Sequence, residues 1–293
     1  MSTAEFPANN KTWQILHKAR KEGYGVGAFN CYNNDGVMAI IRAAEAKKSP
    51  AIIQLFPWTM HFQGPAFIRY VAEAARMASV PIALHIDHCI KVEDVQTALS
   101  LPIDSIMVDA SSAGGELNCQ YCAEVVRQAR PLGITVEAEV GRIDGSEDGL
   151  PRADVEAALT DPEEARAFVA KSGVHFLAPS FGNIHGPYPA EGAEGSWQLD
   201  RRIRLESISQ KVGPDVPLVL HGTHPVSDDL FKVAIRRGVA KINLNRTVRD
   251  PYTGFVAANA GSLELTALKE RSVEVYAKSI ERMLDVIGSS GQS

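Results

Sequence analysis

The sequence predicts an α/β fold, a single (β/α)8 TIM barrel with an extra N-terminal helix and a long C-terminal helix. Three observations carry that prediction. Eight short, nearly continuous apolar runs recur along the 293 residues, and strands of that kind are buried on both faces, as in a parallel sheet covered by helices. Segments with helical spacing separate most of the runs. No second compositional region divides the chain, and a barrel of this type uses about 250 residues as one domain, so residues 1–293 are read as one barrel domain.

Residues 9–23 are expected to form the extra helix before strand one, GVGAFN (25–30). The helix VMAIIRAAEAKK (37–48) follows, with alanine-rich packing positions. AIIQLF (51–56), PIALHID (81–87), SIMVDA (105–110) and TVEAEV (135–140) supply strands two to five. FLAPSF (176–181), PLVLHG (217–222) and KINLN (241–245) supply strands six to eight. PEEARAFVAKSG (162–173) and SDDLFKVAIRRG (227–238) each open with acids and end in bases and glycine, as the helix dipole and stop signals favour. Residues 264–288 form the closing helix. An open doubly wound sheet is the alternative, but no GxGxxG follows strand one.

Thirty basic residues against 35 acidic ones, a net charge of −5 and no basic run argue against a nucleic-acid partner. No apolar stretch approaches the ~18 residues that cross a bilayer. The polar start MSTAEFPANNK lacks the order of a signal peptide, which places the protein in the cytoplasm with no membrane partner. Four cysteines are too few for a disulfide scaffold in so long a chain, and Cys119 and Cys122 form a lone CxxC without a second pair.

The chemistry gathers at strand ends. Barrel active sites are built on the rim at the carboxyl ends of the strands. Two long loops, GRIDGSEDGLPRAD after strand five and GNIHGPYPAEGAEGSW after strand six, leave from that rim. So do His88 after strand three, His185 after strand six and His221 closing strand seven. Three imidazoles from different strands are the ligand set of an open zinc site. His85, three residues before His88, should point to the opposite side or sit lower in the barrel. Glu137 and Glu139 share the interior face of strand five. Glu139 is a candidate fourth or alternate ligand, and Glu137 a candidate to orient a histidine from behind. For each, a buried ion pair with Lys241 or Arg142 is the alternative.

The strings HIDHC (85–89), EAEVG (137–141), GNIHG (182–186), LVLHG (218–222) and GVAKINLN (238–245), in order over nearly the whole chain, resemble the class II, metal-dependent fructose-bisphosphate and tagatose-bisphosphate aldolases. The opening GAFNCYNNDGVMAIIRAAEAKKSPAIIQ (27–54) resembles that family's start. The resemblance implies a zinc-dependent aldehyde-lyase that reversibly cleaves a C–C bond of a ketose (bis)phosphate through a metal-stabilised enediolate. His88, His185 and His221 fall on the zinc ligands, and Glu139 on the carboxylate that holds a displaced metal. Asp87 falls on the acid that serves the C4 hydroxyl. Glu147, in DGSEDG (144–149), matches the base on a mobile loop. The implied substrate-binding set is the asparagine of the Phe29-Asn30 step ending strand one, Gly186, Gly222, His224, Asn243, Asn245 and Arg246. A homodimer or homotetramer and a monovalent cation near the donor belong to the same expectation.

The donor-phosphate segments depart from the family pattern. Gly222-Thr223-His224-Pro225 stands where Gly-Gly-Ser-Gly is usual, Pro189 where a lysine is common, and Asn245-Arg246-Thr247 where Asn-Thr-Asp is usual. LFPWTM (55–60) replaces a polar stretch, and DASS (109–112) replaces DGSH. Either Arg246 and His224 rebuild an anion site, since a guanidinium grips phosphate or carboxylate bidentately, or the donor is unphosphorylated or carries a carboxylate, with Phe56 and Trp58 facing a less polar ligand. A non-catalytic metal- or metabolite-binding barrel and another metal-assisted enolate reaction, such as an epimerisation, are the remaining alternatives.

Overall fold

The computed structural model describes residues 5–145, 159–198 and 203–293. Eight strands, β1 (Val26–Asn30), β2 (Ala51–Leu55), β3 (Ile82–Cys89), β4 (Ser105–Val108), β5 (Thr135–Val140), β6 (Phe176–Pro179), β7 (Leu218–Leu220) and β8 (Val239–Leu244), fall on the eight apolar runs. They close into a barrel in chain order, with β8 returning to pair in parallel with β1. All eight are buried along their length, which explains why their outward faces are apolar. Helices on the outside cover one face, and side chains inside the barrel cover the other. Among the described residues no helix is long and apolar enough to cross a membrane.

The extra helix is Lys11–Glu22. Asn10 caps it by accepting from the Trp13 N–H, and Gly23 ends it in the left-handed conformation. The same Asn10 amide donates to the carbonyls of Asp104 and Gly133, and Thr12 bonds Ser105 at 2.9 Å. The helix thus plugs the amino-terminal mouth of the barrel. Ile15, Leu16 and Ala19 pack there against Val26, Ala28, Ile52, Ala83, Phe176 and Val219. Because inward positions alternate, the next residues up are Asn30, Gln54, His85 and Asp87, Glu137 and Glu139, and His221. On β1, β2, β3 and β7 the interior changes from apolar to polar toward the rim, whereas β5 is polar at Thr135, Glu137 and Glu139 alike. The closing helix spans Leu265–Val286. One feature absent from the sequence reading is the helix Pro57–Met77, which starts directly after β2 with proline in its first turn and breaks at Gly64 (φ +77), before Pro65.

His175, just before β6, pairs twice with Val136: its backbone N–H donates to the Val136 carbonyl, and its Nδ1 accepts from the Val136 N–H at 3.0 Å. Burial lowers its pKa from 6.5 to about 4. An unfolded chain therefore takes up this proton first as pH falls, and stability is lost as pH drops from about 6.5 through 4. Urea unfolding at pH 7 and pH 4.5 should show His175→Gln losing ~2 kcal/mol less on acidification than the unaltered protein. Equal acid losses in both proteins would refute this assignment.

Candidate active site

The strands bring the histidines to one point by different devices. Adjacent residues of a strand face opposite sides, so Asp87 and His88 should not both face inward. They do because His88 adopts φ +48 and the β3–β4 register shifts between Ile86 and Cys89. A non-glycine residue there carries strain of ~1–3 kcal/mol, of the kind that clusters at functional sites. His185 is placed by a two-residue ladder, Ile184–His185 beside Asp144–Gly145. The Tyr188 hydroxyl accepts from the Ile184 N–H and the Trp197 indole and donates to the Gly222 carbonyl, tying the loops of two histidines together. Gly222 has φ +69, and a Cβ there would lie 2.4 Å from the Ile184 carbonyl oxygen, so this approach requires glycine.

His88, His185 and His221 are buried, and one ring nitrogen of each lies within 4.8 Å of the others. The Nε2 of His88 is 3.1 Å from Nδ1 of His221. Behind them, Asp109 takes Nδ1 of His88 at 2.9 Å, and Glu137 takes Nε2 of His221 at 3.0 Å. The other Glu137 oxygen accepts from Lys241 at 2.8 Å, and Lys241 reaches Nε2 of His85 at 3.4 Å. Glu137 therefore has both arrangements considered from sequence, the histidine contact and the Lys241 ion pair. His85 lies lower in the barrel, bonded to Ser105. His85, Asp87 and Glu137 form a second cluster of ligand type, but there the chain supplies its own cation in Lys241.

The electrostatics fit a divalent cation at the three histidines. Burial alone would depress His88, yet Asp87, Asp109 and Glu139 outweigh it and raise its pKa to about 10. The buried carboxylates thus demand positive charge at that point. Burial also opposes the charge on Glu137, but Lys241 and His221 hold it down at about 2. Burial, with Asp109 nearby, pushes Glu139 up to about 7, opposed by His185 and His88. Glu139 stands close to the cluster with one oxygen on the Ile143 N–H at 2.9 Å. Asp87 is held well below the usual carboxylate range: burial opposes its charge, and His88, His85 and Lys241 outweigh that. Lys241→Met should lower unfolding stability by ~3 kcal/mol or more, because Glu137 is left buried and charged. Denaturant unfolding checks this, and an unchanged midpoint would contradict it.

Around the histidines, one Asp87 oxygen accepts from Gln54 at 2.8 Å and from Asn243 at 3.3 Å. Its other oxygen makes no hydrogen bond and lies 3.6 Å from Nε2 of His85, while Asn30 Nδ2, Gln54 Oε1 and Asn243 Oδ1 are buried without a hydrogen-bond partner. The ends of β1, β2 and β8 thus hold buried polar atoms without a hydrogen-bond partner near Asp87. Asn30 is the inward residue of its pair, whereas Phe29 packs in the outer core. Asn245 accepts from Tyr32 at 2.9 Å. His224 is 3.2 Å from the Thr247 hydroxyl, and Arg246 pairs with Asp250 at 3.1 Å in its own helix. Gly186 follows His185 with φ +107. Glu147 lies outside the described residues.

Gln54, Asp109, Tyr32 and Arg249 were missed by sequence reasoning. Arg249 lies over the Tyr32 ring at 5.5 Å. Gln54 had a usable signal, as the one polar residue in an apolar strand and one position before the strand's end. Asp109 is also in a legible place, one residue past β4.

The family model for class-II fructose-bisphosphate aldolases matches residues 10–292. A Coccidioides immitis protein of known crystal structure is 42% identical, with a TM-score of 0.93 over 97% of this chain and 98% of that one. The fructose-bisphosphate aldolase of Streptococcus pyogenes serotype M3 is 40% identical over 96% of this chain and 98% of its own length. The YdjI aldolase of Escherichia coli K12 is 29% identical, with a TM-score of 0.83 over 96% and 98% of the two chains. With the match running through nearly every strand and both histidine loops, the chain belongs to the class-II fructose-bisphosphate aldolase family.

Proposed function

We propose that this chain reversibly cleaves a ketose bisphosphate or ketose phosphate, with His88, His185 and His221 holding zinc, Glu139 as alternate ligand and Asp87 as the proton-transfer acid. The observation that carries the reading is the cluster of three buried histidines, one ring nitrogen of each within 4.8 Å of the others, with an Asp87 oxygen 3.8 Å from Nε2 of His88. Buried polar atoms left without a hydrogen bond are costly unless a ligand completes them, and those of Asn30, Gln54 and Asn243 suit the hydroxyls of a sugar chain. Zinc held at the histidines supplies Lewis-acid polarisation of a substrate carbonyl.

The chain's own groups do the rest. Gln54 and Asn243 fix one Asp87 oxygen and His85 lies 3.6 Å from the other, which holds the carboxylate beside His88 for proton exchange with a substrate hydroxyl. Glu137 and Asp109 fix the tautomer and tilt of His221 and His88. Asn245 and the segment from His224 to Arg246 take the donor end, and Glu147 is assigned the base role on the resemblance alone. These roles suit a cytoplasmic enzyme of carbohydrate metabolism acting as a homodimer or homotetramer.

The Arg246–Asp250 pair favours a second reading, since a guanidinium already matched by a carboxylate is a weaker phosphate clamp. There the same chemistry serves an unphosphorylated or carboxylate-bearing donor. The test is aldol synthesis by the zinc-loaded protein with dihydroxyacetone phosphate and with dihydroxyacetone, beside cleavage of fructose 1,6-bisphosphate. Turnover restricted to the phosphorylated compounds supports the first reading. Turnover of dihydroxyacetone alone replaces it with the second.

A further inference from the structure

We propose that the cavity outside the end of β5, between the helices Gly115–Ala129 and Pro162–Ser172, binds a small phosphate- or carboxylate-bearing molecule, with Arg142 as its anchor. The cavity encloses about 400 Å³ and is lined by Arg142, Ser112, Gly114, Gly115, Phe168 and Lys171, among others.

The argument begins with Arg142. It is only 6% exposed, and its Nη1 is shut off from solvent with no hydrogen-bond partner. Buried arginines are almost always paired, because a lone buried charge is costly. The two interior carboxylates nearest in sequence are otherwise engaged. Glu139 accepts from the Ile143 N–H, and Glu137 is held by Lys241 and His221. Among the described residues no carboxylate pairs with Arg142.

The opposite wall supplies donors of a second kind. The helix Gly115–Ala129 begins at Gly114 with no side-chain cap, and its first backbone bond runs from the Asn118 N–H to the Gly114 carbonyl. The N–H groups before Asn118 therefore have no partner within the helix, which makes its start a site for anions. A Cβ at Gly114 or Gly115 would meet nothing within 4 Å, so the backbone there is open to an approaching group. Lys171 and Glu116 pair at 3.6 Å at the mouth, both about two-thirds exposed. Solvent screens that pair, and Glu164 also lines the cavity, so the nearly buried, unpaired guanidinium of Arg142 sets the preference for negative charge. Phe168, Val140 and Leu159 leave room for a short carbon skeleton beside the anionic group. The site is also joined to the histidines: Ser111, another lining residue, donates to Asp109, which holds His88.

The test uses the zinc-loaded protein in chloride buffer, with inorganic phosphate and succinate as probes, followed by thermal unfolding and calorimetric titration. Arg142→Met is expected to melt at or above the unaltered protein without probe, since it removes an uncompensated charge, and to lose the probe-induced rise in melting temperature. Arg246→Met, at the donor end of the active site, should keep the part of that rise which Arg142→Met loses. Arg142→Lys retains the charge without the planar fork, and its affinity for the better probe should fall at least ~10-fold. A response to phosphate alone or succinate alone supports the site and names its anion. An unchanged probe response in both Arg142 variants would overturn the proposal. So would an Arg142→Met protein that melts well below the unaltered one without probe, because Arg142 would then be paired within the chain.

Discussion

His221→Ala is expected to remove bound zinc and cleavage activity together, lowering turnover by ~10³-fold or more, since Lewis-acid stabilisation at such sites is worth several kcal/mol. The position is central. One ring nitrogen of His221 faces His88 at 3.1 Å, and the other rests on Glu137 at 3.0 Å and Asn243 at 3.2 Å. Truncation deletes a proposed ligand and also the contact through which Glu137 orients it. The fold should survive, because Glu137 keeps its ion pair with Lys241. Metal analysis and circular dichroism on the same sample separate metal loss from unfolding. A folded His221→Ala protein with its full zinc content would refute the ligand assignment.

Asp87→Ala should do the reverse, retaining zinc while cleavage falls by ~10²–10⁴-fold, the usual worth of a positioned acid or base. Asp87 lies 3.8 Å from Nε2 of His88, but its hydrogen bonds are to Gln54 and Asn243, whereas Asp109 holds His88 and Glu137 holds His221. Its loss therefore leaves the three imidazoles in place. Zinc content near one per chain with a depressed kcat is the expected pattern. An Asp87→Ala enzyme that still cleaves substrate at the original rate would remove Asp87 from the proton-transfer role.

The barrel was legible because its signals are local. Eight apolar runs map onto eight strands, and Asn10, Gly23 and the acid-to-base order of the outer helices mark where helices start and stop. The histidines were legible as a set because each follows a strand, and a closed barrel brings all strand ends to one rim. How His88 joins them was not legible. Period-two alternation predicts that it faces away from Asp87, and only its positive φ and the shifted register reverse that. Gln54 and Asp109 were missed for a related reason. Each belongs to no motif and acquires its role from a residue on another strand, Asp87 and His88 respectively. The fate of Arg246 likewise depends on Asp250 one helical turn later, a pairing that weakens an anion clamp inferred from charge alone.

The central claim is that three histidines hold the metal on which cleavage depends. The most direct test measures zinc content and fructose 1,6-bisphosphate cleavage on one preparation as purified, after chelation and dialysis, and after zinc is returned. The account predicts about one zinc per chain, loss of cleavage in proportion to metal removed, and recovery when zinc is restored. Undiminished cleavage by protein shown to be metal-free would contradict it.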